Sequence, residues 1–294
     1  MAAKLQIPDE LKRDLPPTLW GKVLGATPII MTVIATMLAG LASSEMTKAQ
    51  YDRSLAAQLQ SKAGDQWGFF QAKRLRSAMA RNTVSLLTAT GDVGPLAADA
   101  LPGIDAAAIA ALTKGQIPAA TPAKFDPGVT AALAAAASSR PESEVLAVVA
   151  KLDDAALTNA LIAAKEAAAA FDAATRPINE VVDRLDEALT GDRQVLRDFS
   201  AARLRYSAAR YDTEARLNQA IAGIYELQVS KGNLAAEKHH RRSTNFFFGM
   251  LAAQMAVIIA TFSIAARQRS FLWSLAAAAG LTAVSFSAYV YFYV

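Results

Sequence analysis

The sequence predicts an all-α membrane protein with three transmembrane helices and a long helical stalk or bundle domain inserted between the first and second. Two features of its composition indicate helices. Alanine, the best helix former, fills about a fifth of the chain, and aromatic residues make up only 7% of it. The mean hydropathy of +0.21 is high for a soluble domain and points to membrane segments.

Three stretches without a charged residue are the predicted spans: residues 23–44, 243–266 and 270–294. Each reaches the roughly 20 residues that a helix needs to cross a hydrocarbon core about 30 Å thick. Aromatic residues typical of membrane interfaces lie near the ends of the first and third spans, namely Trp20, Trp273, Tyr289, Tyr291 and Tyr293. The alternative is that all three are core helices of a soluble protein.

Residues 1–22 form a charged N-terminal tail before the first span. A secretory signal is an alternative for this region, because "AGLAS" offers small residues for a peptidase. The long charged tail and the long apolar run favour a retained anchor instead. Pro28 is expected to kink that helix or to begin it.

The short link between the second and third spans predicts an antiparallel hairpin, which places this link and the N-terminus on one side of the membrane. The cations on that side are Lys4, Lys12, Arg13, Lys22, Arg267 and Arg269. The positive-inside rule weighs short segments most, so we expect a cytoplasmic N-terminus and an exported helical domain. Lys238, Arg241 and Arg242, next to the second span, argue against this orientation.

Residues 45–92 and 177–242 are predicted to be the two long helices of the stalk, continuous with the first and second spans. Gly64 is the weak point of the first helix, and Gly191, Gly223 and Gly232 are possible breaks in the second. Apolar residues recur at helical spacing on the second helix, at Ala220, Ile224, Leu227 and Leu234. Two long helices that enter the membrane close together are expected to run antiparallel, as a coiled coil or bundle.

Residues 93–176 are expected to form three short helices joined by loops rich in proline and glycine, as a cap on the stalk. Each helix would begin at an aspartate that accepts hydrogen bonds from free backbone N–H groups, namely Asp105, Asp126 and Asp153. Pro127 fits the first helical position. Leu152 and Leu157 have the spacing of a hydrophobic staple.

The stretch "DQWGFFQAKR", residues 65–74, concentrates aromatic and basic residues in one predicted helix. The favoured interpretation places Trp67 and Phe70 in a core against the returning helix. The nearby cations would then be solvated or paired with acids of that helix. The alternative is a docking surface for another subunit, formed by Asp65, Trp67, Phe70, Gln71, Lys73 and Arg74.

This stretch also resembles a known family. Residues 65–73 are similar to the D-x-W-x-(F/Y)-(F/Y)-Q-A-K signature of bacterial membrane proteins classed as domain of unknown function 4337. A span just upstream and two later features agree, namely the Tyr211-Asp212 pair and the His239-His240-Arg241 cluster before a final two-span hairpin. The resemblance covers residues 20–92 and 200–294, and residues 93–175 depart from it. It implies an architecture, since the family has no assigned activity.

A basic cluster precedes the second span: Lys238, His239, His240, Arg241 and Arg242. The favoured interpretation is anchoring at the level of the lipid headgroups, and binding of anionic lipid is the alternative for a cytoplasmic orientation. His239 and His240 are neighbours in the sequence, so on a helix their side chains point about 100° apart. This geometry is poor for binding one metal ion. With a net charge of +4 and interspersed acids, a nucleic-acid surface is not expected.

The catalytic motifs that would indicate an enzyme are missing. The sequence has no phosphate loop, dinucleotide fingerprint or nucleophile elbow. It has no cysteine, which excludes disulfides and thiolate metal sites. We therefore expect a non-enzymatic, membrane-anchored scaffold or accessory subunit without a cofactor. Its expected partners are lipids and a homo-oligomer or larger membrane complex.

Small residues in the third span would allow close packing, either within one chain or between chains: Ala276, Gly280, Ala283 and Ser287. Two other functions stay open. An oligomeric pore or transport accessory needs a polar stripe along a span, which Thr27, Thr32 and Thr36 suggest, and Gln254 is the most polar span residue. A chemoreceptor-like sensor input domain would have the same order of span, helical domain and span.

Overall fold

The computed structural model describes residues 19–91, 93–96, 105–138, 140–189, 192–265 and 269–293. These residues form seven helices and no strand, so the predicted all-α class is confirmed. The helices are α1 (Leu19–Thr90), α2 (Ala106–Lys114), α3 (Pro127–Ala137), α4 (Glu142–Val149), α5 (Asp154–Ala188), α6 (Arg193–Ala265) and α7 (Arg269–Tyr293).

Three helices are long and apolar enough to cross a membrane, namely α1, α6 and α7. They contain the three predicted spans. Most of the predicted tail, residues 1–22, lies outside the described residues, and so does Arg267 in the predicted hairpin link. Pro28 and Gly64 both lie inside the uninterrupted α1, so Pro28 does not begin the helix and Gly64 does not break it.

The returning helix begins later than the sequence indicates. Pro177 was expected to open it but lies inside the 35-residue α5, and α6 begins at Arg193. The start of α6 is set by Asp192, whose carboxylate accepts a hydrogen bond of 2.8 Å from the backbone N–H of Gln194. The break therefore falls next to Gly191, one of the three possible breaks, whereas Gly223 and Gly232 lie inside α6 and do not interrupt it.

The region predicted as three short helices contains three short helices and most of the long α5. Two of the predicted N-caps are confirmed, because Asp105 accepts from the N–H of Ala107 and Asp126 from that of Gly128. Asp153 occupies the N-cap position of α5 but makes no side-chain cap bond to a described residue. The unpredicted helix is α4, which has Pro141 at its N-cap position and two glutamates in its first turn, where negative charge stabilises a helix.

The chain divides into two compact units. We call Met1–Ser54 with Asn233–Val294 the span unit, and Leu55–Gly232 the insert unit. The core of the span unit combines residues from all three spans: Ala35, Leu38, Ala42, Phe246, Ala253, Ala283 and Val290. The core of the insert unit includes Leu112 of α2, Ile178 and Val182 of α5, and Phe199 and Tyr206 of α6.

The small residues of α7 pack against the other two spans of the same chain. A Cβ added to Gly249 would lie 2.6 Å from the hydroxyl of Ser287, and one added to Gly280 would lie 2.6 Å from Met31. The indole N–H of Trp273 donates to the hydroxyl of Thr27 over 3.2 Å. The packing motif of the third span is thus used inside this chain.

Buried small residues recur at every seventh position on both long helices. On α1 they are Ala35, Ala42, Ala49, Ala56 and Ala63, and on α6 they are Ala201, Ala208, Ala215, Ala222, Val229, Ala236 and Ser243. We call these rows the alanine seams. The hydroxyl of Ser243 reaches the carbonyl of Ala42 over 2.7 Å in the span unit, and that of Ser77 reaches the carbonyl of Ala208 over 2.9 Å in the insert unit. Such bonds require a close approach of α1 and α6 in each unit.

Candidate functional site

Trp67 of the 65–74 stretch faces α6 within the insert unit, whereas Phe69 is 54% exposed. The indole N–H of Trp67 donates to a carboxylate oxygen of Glu226 over 2.7 Å. Trp67 and Phe70 are half-buried and meet edge to face, with ring centroids 5.2 Å apart. Their placement agrees with the core interpretation of this stretch.

The cations of the same stretch pair with acids on α6. Lys73 forms an ion pair with Glu214, and Arg74 donates to Asp212 over 2.7 Å. Both acids are mostly buried, with side chains 16% and 19% exposed, whereas the side chain of Arg74 is 56% exposed. The pairing of these cations with acids of the returning helix is therefore confirmed.

The Tyr211-Asp212 pair is the centre of this contact, which we call the clamp. Besides Arg74, two more arginines approach Asp212, Arg216 at 3.6 Å and Arg81 at 3.7 Å. Lys73 and Arg210 lie 5.1 and 4.7 Å from the ring centre of Tyr211, within the range of cation–π attraction. In the sequence, only the family resemblance pointed to Tyr211 and Asp212.

The predicted docking set does not form one surface. Trp67, Phe70 and Lys73 face α6, while Asp65 and Gln71 are exposed. The opposite side of α1 carries an apolar row that the sequence analysis missed. Its large members, Leu75, Met79 and Leu86, are 62%, 60% and 64% exposed. With Ala72 and Asn82 they follow the alternating three- and four-residue spacing of a heptad seam, which could have revealed them.

A second group of charges lies at the end of the first and second spans, in the span unit. His239 contacts Glu45 through Nδ1 at 2.6 Å, and its Nε2 lies 3.9 Å from Asp52. Lys48 reaches the other oxygen of Glu45 at 2.8 Å. We call these four residues the boundary cluster. His239 therefore faces a neighbouring helix, and it is not the headgroup contact that the sequence predicted.

Glu45 is only 8% exposed, so it needs these partners to remain ionised. Burial alone would raise the pKa of its carboxyl. Hydrogen bonds from Lys48 and His239, together with their positive charges, outweigh burial and hold the pKa below its ordinary value. The boundary cluster therefore stabilises a buried carboxylate between α1 and α6.

The rest of the basic cluster divides between surface and interior. Lys238 and Arg241 are exposed, as anchoring at the headgroup level requires. His240 and Arg242 are half-buried. Nδ1 of His240 and Nε of Arg242 are buried without a hydrogen-bond partner among the described residues. Only Lys238 and Arg241 retain the predicted position for lipid contact.

A groove runs between α1 and α6 in the span unit. One part, of about 470 Å³, is lined by Thr32, Ala35, Thr36, Ala39, Gln254, Val257 and Ile258. A second part, of about 410 Å³, shares Ala39 and continues to Met46 and Ser243. We call the first part the span groove. Thr27 is buried elsewhere, so the expected stripe of three threonines is reduced to Thr32 and Thr36, joined by Gln254.

The contacts at these sites are hydrogen bonds, ion pairs and helix packing. Within the described part of the chain, no group of three or more histidine and carboxylate side chains is arranged to hold a metal ion. The acids of the clamp are engaged by cations, and those of the boundary cluster by Lys48 and His239.

The aromatic and basic contact on α1 lies within a segment shared with other proteins. Residues 20–115 match the family model described as "Domain of unknown function (DUF4337)". The chain resembles this family. The match to the family includes α2 and extends over residues 93–115, which we had expected to depart from it, and it stops before residues 200–294. No curated protein and no solved structure matches the chain.

Proposed function

We propose that this protein is a non-enzymatic, membrane-anchored scaffold or accessory subunit of a membrane complex. The supporting observation is the exposed row of Leu75, Met79 and Leu86 on α1 in the insert unit. Large apolar side chains grouped on a solvated face mark a site of protein contact. The opposite face of the same helix is fixed to α6 by the clamp, so the row is presented on a rigid element.

The partner that fits this row is an amphipathic helix that forms a coiled coil with α1. The spacing of the row from Ala72 to Leu86 is that of alternating a and d positions. Arg76 lies at a flanking position of this register and is exposed. Acidic residues beside the apolar face of the partner helix would complement it.

The proposed location is the bacterial inner membrane, with α1, α6 and α7 as spans. The cations of the N-terminal tail support a cytoplasmic N-terminus and a periplasmic insert unit. The exposed Lys238 and Arg241 then contact lipid headgroups on the periplasmic side. A protease-accessibility assay on spheroplasts tests this orientation, because a periplasmic insert unit is cleaved without lysis.

The test of the proposed function is native purification. The chain is tagged, expressed at low level and extracted in mild detergent, and the mass and composition of the particle are recorded. We expect a stoichiometric assembly that Leu75→Glu disrupts. Ile162→Glu on α5 is the matched control, since Ile162 is also an exposed apolar residue of the insert unit.

Two results support the proposal and one contradicts it. A foreign protein that is lost only with Leu75→Glu identifies an accessory subunit. A homo-oligomer that is lost only with Leu75→Glu identifies a self-assembling scaffold. A monomer without any bound protein, or an assembly equally sensitive to both variants, would remove this function.

A second candidate, an oligomeric pore or transport accessory, is favoured by the span groove, where Thr32, Thr36 and Gln254 lie together. A pore built from several copies would turn these polar groups towards its axis. Ion flux through liposomes that contain only this protein tests it. Absence of flux across several lipid compositions excludes it.

A further inference from the structure

We propose that two copies of this chain associate within the membrane through the span groove, with Gln254 of each copy hydrogen-bonded across a two-fold interface. The inference rests on the membrane insertion proposed above. It assigns one contact between copies to the span unit, in addition to any contact made through the apolar row of the insert unit.

Gln254 is a polar residue in the middle of a membrane span. It lies eleven residues after Ser243 and eleven before Ala265, the last residue of α6. At a rise of 1.5 Å per residue, either end of the stretch is about 16 Å away. Its carboxamide is therefore as far from both membrane surfaces as this span allows.

The carboxamide of Gln254 makes no hydrogen bond to any other described residue, and its side chain is exposed. A primary amide offers two donors and an oxygen that accepts twice. In hydrocarbon these groups find no partner, since lipid chains neither donate nor accept hydrogen bonds. The side chain is stable at this depth only where another protein surface covers it.

The neighbouring hydroxyls within the chain are already used as donors. Thr32 donates to the carbonyl of Pro28 over 2.8 Å, and Thr36 to that of Thr32 over 2.9 Å. The oxygen of each hydroxyl can still accept a hydrogen bond. The groove therefore offers acceptors to an amide that arrives from outside.

A second copy of the chain fits these requirements because of symmetry. All copies insert in the same orientation, so a two-fold axis between them runs along the membrane normal and each residue meets its equivalent at the same depth. A charged side chain at this position would be repelled by the same side chain of the second copy. A carboxamide is self-complementary, because each one donates to the other.

The shape of the groove permits this approach. Ala35 and Ala39 line it one turn apart on α1, and small residues allow helices to come close. The small residues of α7 do not compete for this role, because Gly280 packs against Met31 inside the chain. The span groove thus combines small residues with a polar side chain that has no hydrogen-bond partner among the described residues.

The chain contains no cysteine, so single-cysteine variants report contacts without background. Ile258→Cys places a thiol in the groove, one turn from Gln254, and Met255→Cys places one outside the groove on the same helix. The two side chains are similarly exposed, at 48% and 54%. In native membranes treated with copper phenanthroline, we expect disulfide dimers from Ile258→Cys and few from Met255→Cys.

The second measurement removes the amide. In vesicles, Förster transfer between labelled copies gives the dissociation constant of the dimer as protein is diluted with lipid. We expect Gln254→Leu to raise this constant by about 3- to 30-fold, the range of interhelical hydrogen bonds in membranes. Gln254→Asn keeps the carboxamide and should retain more of the association, while Met255→Leu should leave it unchanged.

Equal cross-linking at positions 258 and 255, or unchanged association of Gln254→Leu, would overturn this inference and leave lipid as the occupant of the groove. Failure of this inference can be told apart from failure of the proposed function, because the two are measured with different variants. Partner binding that depends on Leu75 is read separately and should survive Gln254→Leu, and dimers of Ile258→Cys should survive Leu75→Glu.

Discussion

The span unit and the insert unit both carry exposed apolar side chains, but the meaning of this exposure differs. In the span unit Ile29, Val33 and Met37 are 54%, 54% and 65% exposed, which is what a helix in hydrocarbon requires. In the insert unit Leu75, Met79 and Leu86 reach similar values on a helix with charged neighbours. Exposure is therefore ordinary in the first unit and an indication of protein contact in the second.

For exposed polar side chains the two units differ in the opposite way. Exposed Arg74 and Gln71 need no explanation in the insert unit, where water is available, whereas exposed Gln254 does in the span unit. The interior is alike in both units, because the alanine seams supply buried small residues to each. The functional difference between the units thus lies on their outer faces.

Two large effects of similar size are expected, and the first follows from filling the alanine seam. Ala63 in the insert unit and Ala49 in the span unit are 0% and 1% exposed. Leucine at either position has no space and should lower the free energy of unfolding by about 1–3 kcal/mol, measured by circular dichroism in detergent. Ala57→Leu is the control, since Ala57 is exposed on α1. Wild-type stability of Ala63→Leu would show that α1 and α6 are not closely packed there.

The next effect tests the boundary cluster through pH. The pKa of Glu45 lies below its ordinary value of 4.5, so its charge stabilises the fold above that pH. The contribution is lost as the pH falls through the pKa of the folded state. We expect Glu45→Gln to be less stable than wild type at pH 7 by about 1.5–3 kcal/mol, the range for hydrogen bonds to charged groups.

The stability difference between Glu45→Gln and wild type should narrow as the pH falls below 4.5, measured as unfolding midpoints between pH 7 and pH 3. Glu142→Gln serves as the control, because Glu142 is exposed at the start of α4. A difference that stays constant over this range would mean that Glu45 acts through its shape and not its charge.

The features that sequence predicted well depend on local rules. The spans follow from uninterrupted apolar length, and the caps at Asp105 and Asp126 from residue types next to helix starts. Pro177 shows where a local rule fails, because its place inside α5 is decided by packing of neighbouring residues such as Ile178 and Val182 in the insert core. At Pro177, packing in the insert core therefore outweighs the low helix propensity of proline.

The alanine seams were readable in the sequence, since the seven-residue repeat from Ala35 to Ala63 is strict. The high alanine content concealed it, because so many alanines are also exposed. The boundary cluster was not readable, since Glu45 and His239 are 194 residues apart. No local pattern connects two such positions. The heptad spacing of the Leu75 row is visible in the sequence, but spacing alone does not distinguish an exposed row from a buried one.

A smaller effect concerns the hydrogen bond between Trp67 and Glu226. Trp67→Phe keeps an aromatic ring but leaves the half-buried carboxylate of Glu226 without its indole donor. We expect a loss of about 1–2 kcal/mol in the free energy of unfolding. A double-mutant cycle with Glu226→Gln isolates the bond, and the coupling energy should be about 1 kcal/mol. Strictly additive losses would mean that the bond contributes no stability.

The smallest effect concerns the exposed end of the clamp. Because the side chain of Arg74 is 56% exposed, its ion pair with Asp212 is screened by water. Arg74→Ala should lower the free energy of unfolding by no more than about 0.5 kcal/mol, and the difference should vanish in 1 M salt, where the Debye length is about 3 Å.

Asp212→Ala should destabilise the insert unit more than Arg74→Ala does. Three arginines, Arg74, Arg81 and Arg216, lie within 3.7 Å of Asp212 and would be left next to one another without their common counter-charge. Equal effects of the two variants would show that the arginines act one at a time. A clearly larger effect of Asp212→Ala would show that this aspartate neutralises the positive charge of the arginines around it. The arginines repel one another and cannot replace its negative charge.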